Sequence, residues 1–329
     1  MTDPLAEIGS LSAVDFDAGA LFSGQPSGRK IKGYAAPCQH TPAIDPDTLF
    51  PAVMRDLVVW FMGGNDSLYL FGPTGSGKTS LVRQVAARLN YPVFDVTGHG
   101  RLEFSDLAGH LTVDNGSMRF QHGPLALAMK HGGLFLLNEI DLLDPATAAG
   151  LNGVLDGAPL CIPENGGEVI PPHPMFRFVA TANTNGGSDG TGLYQGTLRQ
   201  NLAFMDRFWL CEVTYPDPTS EIQILERRAP ALPADLRSTM VEFANEVRRL
   251  FIGDSDGQHQ SIEVTFSTRT LIRWADLTQR SSPWPARASS PSPTPSTGRW
   301  GSAPLHRPAP CSTSWGSGCS PPLHKGKMP

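Results

Sequence analysis

Residues 67–90 read SLYLFGPTGSGKTSLVRQVAARLN. Its first five residues, Ser67–Phe71, are a strand-like run, and its last part reads as a helix to about Leu89. Between them, Gly72-Pro73-Thr74-Gly75-Ser76-Gly77-Lys78-Thr79 fits GxxxxGK[ST] in the context that pattern demands, strand before and helix after. The glycines let backbone N–H groups turn inward around phosphate oxygens, and the N-terminus of the following helix adds favourable partial charge. In such a loop Lys78 reaches the β- and γ-phosphates, and Thr79 ligates Mg²⁺ through its hydroxyl. The expectation is an α/β fold with a parallel sheet that binds ATP and Mg²⁺.

Downstream, GGLFLLNEID (residues 132–141) is an apolar run that ends in two polar side chains, Asn138 and Glu139. A second buried strand ending near the phosphate loop is where a nucleotide hydrolase places its metal-binding and catalytic carboxylates. Glu139 is the candidate base that polarises the attacking water. Asn138 stands where an Asp is expected in the magnesium shell. Its amide keeps an acceptor oxygen of similar geometry but loses the charge, so slower turnover is expected rather than none. Further on, FRFVATANTNG (residues 176–186) is another apolar strand ending in polar residues, and it places Asn183 to orient the lytic water. LRQNLAFMDRFWL (residues 198–210) reads as a helix with Arg207 near its end, and FSTRTLIRWADL puts Arg269 at a helix start. Either arginine alone would read as a solvated surface charge; their order after a phosphate loop gives them weight.

The 329 residues are 40% hydrophobic, which is ordinary for a globular protein, and no apolar run approaches the roughly 18 residues of a membrane span. MTDPLAEIGS lacks the basic start and apolar middle of a secretory signal, so a cytoplasmic location is expected. The five cysteines lie far apart without a CxxC pair, and they read as reduced thiols.

From Ser281 the composition changes. Residues 281–329 contain no Asp, Glu, Ile, Val, Phe, Tyr or Asn, yet carry three of the six Trp together with many Pro and Ser. Such a segment builds no ordinary core and is expected to be disordered. It reads either as a genuine Pro/Ser-rich extension or as the product of a shifted reading frame in a GC-rich gene, and the second accounts for its Trp and Cys density. It holds five of the 26 Lys and Arg and none of the 31 Asp and Glu, which leaves 21 against 31 before it, a net charge of −10. That acidity argues against a nucleic-acid groove.

Phosphate loop, acid-tipped strand, Asn, Arg and a late Arg in this order resemble an AAA+ ATPase, and further features are similar to its MoxR-type branch. DLAGHLTVDNGSMRFQHGPLALAMKHGG resembles the helix-2 insert of that branch, Asn115-Gly116 being a hairpin-turn signal between short strands. LCIPENGGEVI resembles its hairpin before sensor 1. IDPDTLF, VAARLNYP, IPPHPMFRFVATANT, DGTGLYQGT, MDRFW and STRTLIRWA bring the resemblance to the CobS-type ATPase subunits of aerobic, ATP-dependent cobaltochelatases. It covers roughly residues 43 to 280.

The resemblance implies a three-layer αβα core with a parallel sheet plus a small α-helical lid. The expected organisation is an N-terminal extension over 1–42, a nucleotide-binding core over 43–215, an incomplete helical lid over 216–280 and the tail over 281–329. It also implies that Arg207 is an arginine finger reaching a neighbouring subunit's γ-phosphate, that Arg269 is sensor 2, and that the chain forms a homo-hexameric ring. The ring would act on a large chelatase-type subunit through a von Willebrand factor A partner. The rival readings are a MoxR-type chaperone that matures another enzyme complex and an ATP-gated scaffold with little hydrolysis. A nucleic-acid motor is disfavoured by the charge.

Overall fold

The computed structural model describes residues 8–9, 11–64, 66–114, 116–187, 194, 196–252 and 265–281. The tail expected to be disordered lies outside them except for Ser281, which ends a helix. Asn115 and most of the DGTGLYQGT run also lie outside.

The first two strands, β1 (Ala13–Asp17) and β2 (Lys30–Tyr34), pair antiparallel. β3 (Ser67–Phe71) and β4 (Val93–Thr97) flank the phosphate-loop helix Lys78–Arg88. A hairpin of β5 (Gly109–Asp114) and β6 (Ser117–His122) follows, as Asn115-Gly116 leads one to expect, and β7 (Leu134–Asn138) returns to the core. A second hairpin, β8 (Leu160–Ile162) and β9 (Glu168–Ile170), precedes β10 (Arg177–Ala182) and β11 (Phe208–Glu212).

Five of these strands form one parallel sheet in the order β11-β3-β10-β7-β4. β7 and β10 are buried at every position, as expected where both faces of a parallel sheet are covered. Alternation along β7 divides the core: Phe135 and Leu137 pack into one apolar cluster, Leu134 and Leu136 into another on the opposite face. The second cluster also holds Ile31 and Tyr34 of the N-terminal hairpin and Leu57, Trp60 and Phe61 of the helix Met54–Gly63. The Tyr34 hydroxyl donates to the Gly132 carbonyl at 2.7 Å, so residues 13–34 are part of the packed layer.

One expectation is corrected. Residues 198–210 are not a single helix: a four-residue helix, Leu202–Met205, is capped by the Asn201 side chain, and from Phe208 the chain is extended. The register of β11 on β3, Phe208 beside Ser67 to Glu212 beside Phe71, supplies a full hydrogen-bond ladder at the sheet edge. Tertiary pairing of this kind outweighs local helix preference.

Three helices, Pro218–Arg228, Ala234–Ile252 and Thr268–Ser281, enclose a separate core of Leu225, Met240, Val241, Ala244, Leu271 and Ala275. Arg248 and Glu221, both buried, meet in two hydrogen bonds of 2.8 Å, and Thr268 donates to the same carboxylate at 2.8 Å. A buried charge pair is tolerable only when its donors and acceptors are met in this way, and the Thr268 bond fixes the start of the third helix. On the outer side Phe243 and Leu277 remain 52% and 56% exposed.

No helix among the described residues is long and apolar enough to cross a membrane.

Candidate functional site

The parallel register brings three strand ends to one edge. Phe71 lies beside Ala182, and Leu137 lies beside Ala180, so Gly72, Asn138 and Asn183 leave the sheet together, the position where open α/β sheets bind ligands. One cleft at this edge is lined by Thr74, Gly75, Gly77, Lys78, Thr79, Asn138, Glu139, Thr181, Asn183 and Arg269. Thus every side chain singled out in the sequence as catalytic or metal-binding, except Arg207, meets at one place.

The loop needs its glycines. Gly72, Gly75 and Gly77 have φ of 143°, 70° and 95°, values that side chains with a Cβ rarely adopt. A Cβ on Gly72 would sit 2.2 Å from the Val213 carbonyl oxygen, and one on Gly75 would sit 2.5 Å from the Ser267 Cβ. The Ser76 hydroxyl is buried without a hydrogen-bond partner among the described residues. The curled backbone, this spare donor and the helix N-terminus starting at Lys78 suit a phosphate chain.

Asn138 and Glu139 would point to opposite faces if the strand continued. Instead Glu139 adopts a left-handed φ of 54°, a conformation that costs on the order of 1–3 kcal/mol and is typical of functional sites. Both side chains therefore line the cleft. The Asn138 Oδ1 accepts from the Thr79 hydroxyl at 2.7 Å and from the Thr181 hydroxyl at 3.3 Å. Thr181 in turn accepts from the Glu139 N–H at 3.4 Å. Asn138 Nδ2 donates to the Val96 carbonyl at 3.4 Å, a bond that an aspartate could not make. Hard oxygens from Thr79 and Asn138 converge here, which is the donor chemistry Mg²⁺ selects.

Lys78 is buried, and its ammonium donates to the carbonyls of Gly72 (2.7 Å) and Pro73 (2.9 Å) and to Asn183 Oδ1 (3.3 Å). Burial lowers its pKa to about 8, opposed by the Asp141 carboxylate and reinforced by the Arg269 charge.

Arg269 also lines a second cleft, continuous with the first through Gly75, Gly77 and Ser80, whose apolar walls include Leu49, Phe50, Pro51, Pro216, Ile224 and Ile272. The Tyr215 hydroxyl donates to the Thr74 carbonyl at 2.8 Å while its ring lies 4.2 Å beneath the Arg248 guanidinium, so the lid core is tied directly to the phosphate loop.

Arg207 stands apart. It donates through Nε to Asp156 at 2.8 Å and also to the Ala203 carbonyl, and it lines neither cleft. Near it in the chain, Leu202, Trp209 and Leu210 are 77%, 42% and 45% exposed.

Comparison with known proteins decides the family. Residues 67–208 match the AAA domain of the dynein-related subfamily, and residues 221–289 match the CbbQ/NirQ/NorQ C-terminal family. Aerobic cobaltochelatase subunit CobS from Sinorhizobium sp is 31% identical over 256 residues, 75% of each chain. The chain belongs to the MoxR-type AAA ATPases. Protein NorQ from Paracoccus denitrificans (strain Pd 1222) is 30% identical over 212 residues, 64% of this chain and 73% of NorQ. Midasin from Dictyostelium discoideum is 33% identical over 215 residues, 64% of this chain but 3% of midasin.

As a MoxR-type AAA ATPase the chain has an ATP site and belongs to a family of ATP hydrolases. Several residues of this site carried no signal that a motif could announce. Thr181, Asp141 and Tyr215 act through contacts across the fold, and Leu49 and Phe50 fall within IDPDTLF, which the resemblance covers without giving it a place at the cleft.

Proposed function

We propose that this MoxR-type ATPase is the motor subunit of a cytoplasmic, ring-shaped machine of the cobaltochelatase kind, converting ATP hydrolysis into conformational work on a partner that inserts cobalt into a corrin precursor. The observation that carries the motor reading is the separation within the site. Lys78, Thr79, Asn138, Glu139, Asn183 and Arg269 share one cleft, whereas Arg207 lines neither that cleft nor the adjoining one and bonds to Asp156 instead, in a stretch of chain whose Leu202 and Leu210 are exposed. An arginine outside its own cleft, in a stretch of chain that exposes apolar residues, suits a neighbouring copy's phosphate and hence a hexameric ring.

In this reading the loop from Gly72 to Thr79 cradles the phosphates, and Lys78 turns from the Gly72 and Pro73 carbonyls to the β- and γ-phosphates. Thr79 and Asn138 would hold Mg²⁺, which when bound neutralises developing phosphate charge. Glu139 takes the proton of the attacking water, Asn183 orients that water, and Arg269 reaches the phosphates from the lid. The apolar walls at Leu49, Phe50, Ile224 and Ile272 receive the base. Likeness to CobS over three quarters of both chains supports the chelatase client, with a large subunit and a von Willebrand factor A partner as the other components. The match of residues 221–289 to the CbbQ/NirQ/NorQ family supports a second reading, a ring that matures another enzyme complex. Pulling down the full chain with a candidate large chelatase subunit, with and without ATP, separates them: ATP-dependent capture supports the first, and capture of neither component removes it.

Two expected outcomes belong here. Glu139→Gln should still bind ATP but turn it over about 10²- to 10⁴-fold more slowly, read as stable retention of nucleotide after gel filtration; unchanged turnover would remove Glu139 as the base. Asn138→Asp should raise turnover severalfold when Mg²⁺ is limiting. The added charge strengthens the metal shell at the cost of about 1 kcal/mol for the lost bond to the Val96 carbonyl. A Mg²⁺ titration that superimposes on that of the natural chain shows the charge at 138 to be irrelevant.

A further inference from the structure

Asp141 is fully buried in the short turn Ile140–Leu142, just beyond Glu139. Its Oδ2 accepts three hydrogen bonds from the segment that follows β10: from the Asn183 N–H at 2.9 Å, the Thr184 N–H at 3.1 Å and the Thr184 hydroxyl at 3.3 Å. The other oxygen, Oδ1, is buried without a hydrogen-bond partner among the described residues. The Asn183 side chain, whose backbone Asp141 grips, accepts from Lys78 at 3.3 Å. The Thr184 carbonyl is held from the other side by the Tyr69 hydroxyl at 3.1 Å.

A buried carboxylate is costly, and a buried acceptor without a partner adds on the order of 1–3 kcal/mol. Packing alone does not call for such a group. What this carboxylate does is join the turn after Glu139 to the backbone bearing Asn183, so that two elements from different strands keep one spacing.

We propose that Asp141 is a positioning residue for ATP hydrolysis: it fixes the backbone of Asn183 and Thr184 so that the Asn183 amide stays against Lys78 and faces the cleft. The inference rests on the reading of Asn183 as the residue that orients the attacking water. An amide or side chain displaced by about 1 Å from its working place costs up to a hundredfold in rate, while loss of the Asp141 charge that supports the Lys78 ammonium acts alike in any neutral replacement.

The test uses the full chain and compares D141A, D141N, N183A and D141A/N183A by kcat, KM and the affinity for a non-hydrolysable ATP analogue, with rates expressed per nucleotide-binding site so that misfolded protein is divided out. D141A should lose about 10- to 100-fold in kcat, with any change in KM and affinity shared by D141N, which lacks the same charge. D141N, whose amide oxygen can accept the same two N–H bonds, should recover most of that loss. The double variant should be no slower than N183A alone, because Asp141 acts through Asn183. If D141A does not fold, Asp141→Ser, whose hydroxyl falls short of both amides, replaces it in the same comparison. The proposal is overturned if D141A keeps the natural rate, if D141N falls as far as D141A, or if the double variant loses the product of the two single losses. Natural turnover by N183A would remove the role of Asn183 itself, and with it this proposal; a slow N183A beside a normal D141A overturns the present proposal alone.

Discussion

Lys78→Ala is expected to lose ATP binding, with affinity falling by about two orders of magnitude or more. Each hydrogen bond from an ammonium to a phosphate contributes roughly 1.5–3 kcal/mol net, and about 1.4 kcal/mol is tenfold in affinity. Lys78 is the one side-chain cation within the loop Gly72–Thr79, so nothing in the loop replaces it. The fold should survive. Among the described residues the ammonium donates to neutral acceptors, the Gly72 and Pro73 carbonyls and Asn183, and the buried Asp141 carboxylate, which loses a nearby charge, keeps its bonds from Asn183 and Thr184. Calorimetry with a non-hydrolysable analogue reads the affinity and a thermal melt checks the fold; a folded variant that binds ATP as the natural chain does places the phosphates somewhere else.

Arg207→Ala should bind ATP with natural affinity and hydrolyse it about 10³-fold more slowly, the scale on which an arginine finger acts in trans. The side chain lines neither nucleotide cleft, and its main partner, Asp156, is half-exposed. Breaking an exposed pair of this kind changes stability little, so loss of turnover would not reflect unfolding. Mixing Arg207→Ala with Lys78→Ala should partly restore hydrolysis, since a Lys78→Ala subunit still offers Arg207 to the intact phosphate loop of its neighbour. A chain that stays monomeric at every concentration and turns over ATP at full rate with Arg207 removed would contradict the trans site.

These two residues show how differently the site could be read. Lys78 was legible because eight consecutive residues carry the whole geometry: the glycine conformations, the helix start and the cation lie within one loop, and a local pattern suffices. Asn138, Glu139 and Asn183 were legible for a related reason, each being the polar end of a buried strand, which the alternation of apolar run and polar tip marks in the sequence. Arg207 takes its role from resemblance and from its order after the phosphate loop, and the helix that LRQNLAFMDRFWL suggests gives way to a strand from Phe208 onward, because the partner that extends β11 is β3, some 140 residues earlier in the chain.

The phosphate loop with its flanking strand and helix, the polar-tipped strands β7 and β10 and the Asn115-Gly116 hairpin are legible in the chain because each is encoded by neighbouring residues, whereas the hairpin of β8 and β9 and the helical lid are read through resemblance. Which polar groups meet is set by pairing between distant strands. Register, not motif, put Thr181 between Asn138 and Glu139, and set Asp141 under the backbone of Asn183. The fold likewise ran Tyr215 from the lid to the Thr74 carbonyl and packed the N-terminal hairpin against the central layer through Ile31 and Tyr34. A hydrogen bond between groups 40 to 140 residues apart leaves no periodicity in the chain; it exists only once burial has brought the strands together and made an unpaired polar group too costly to leave unmet.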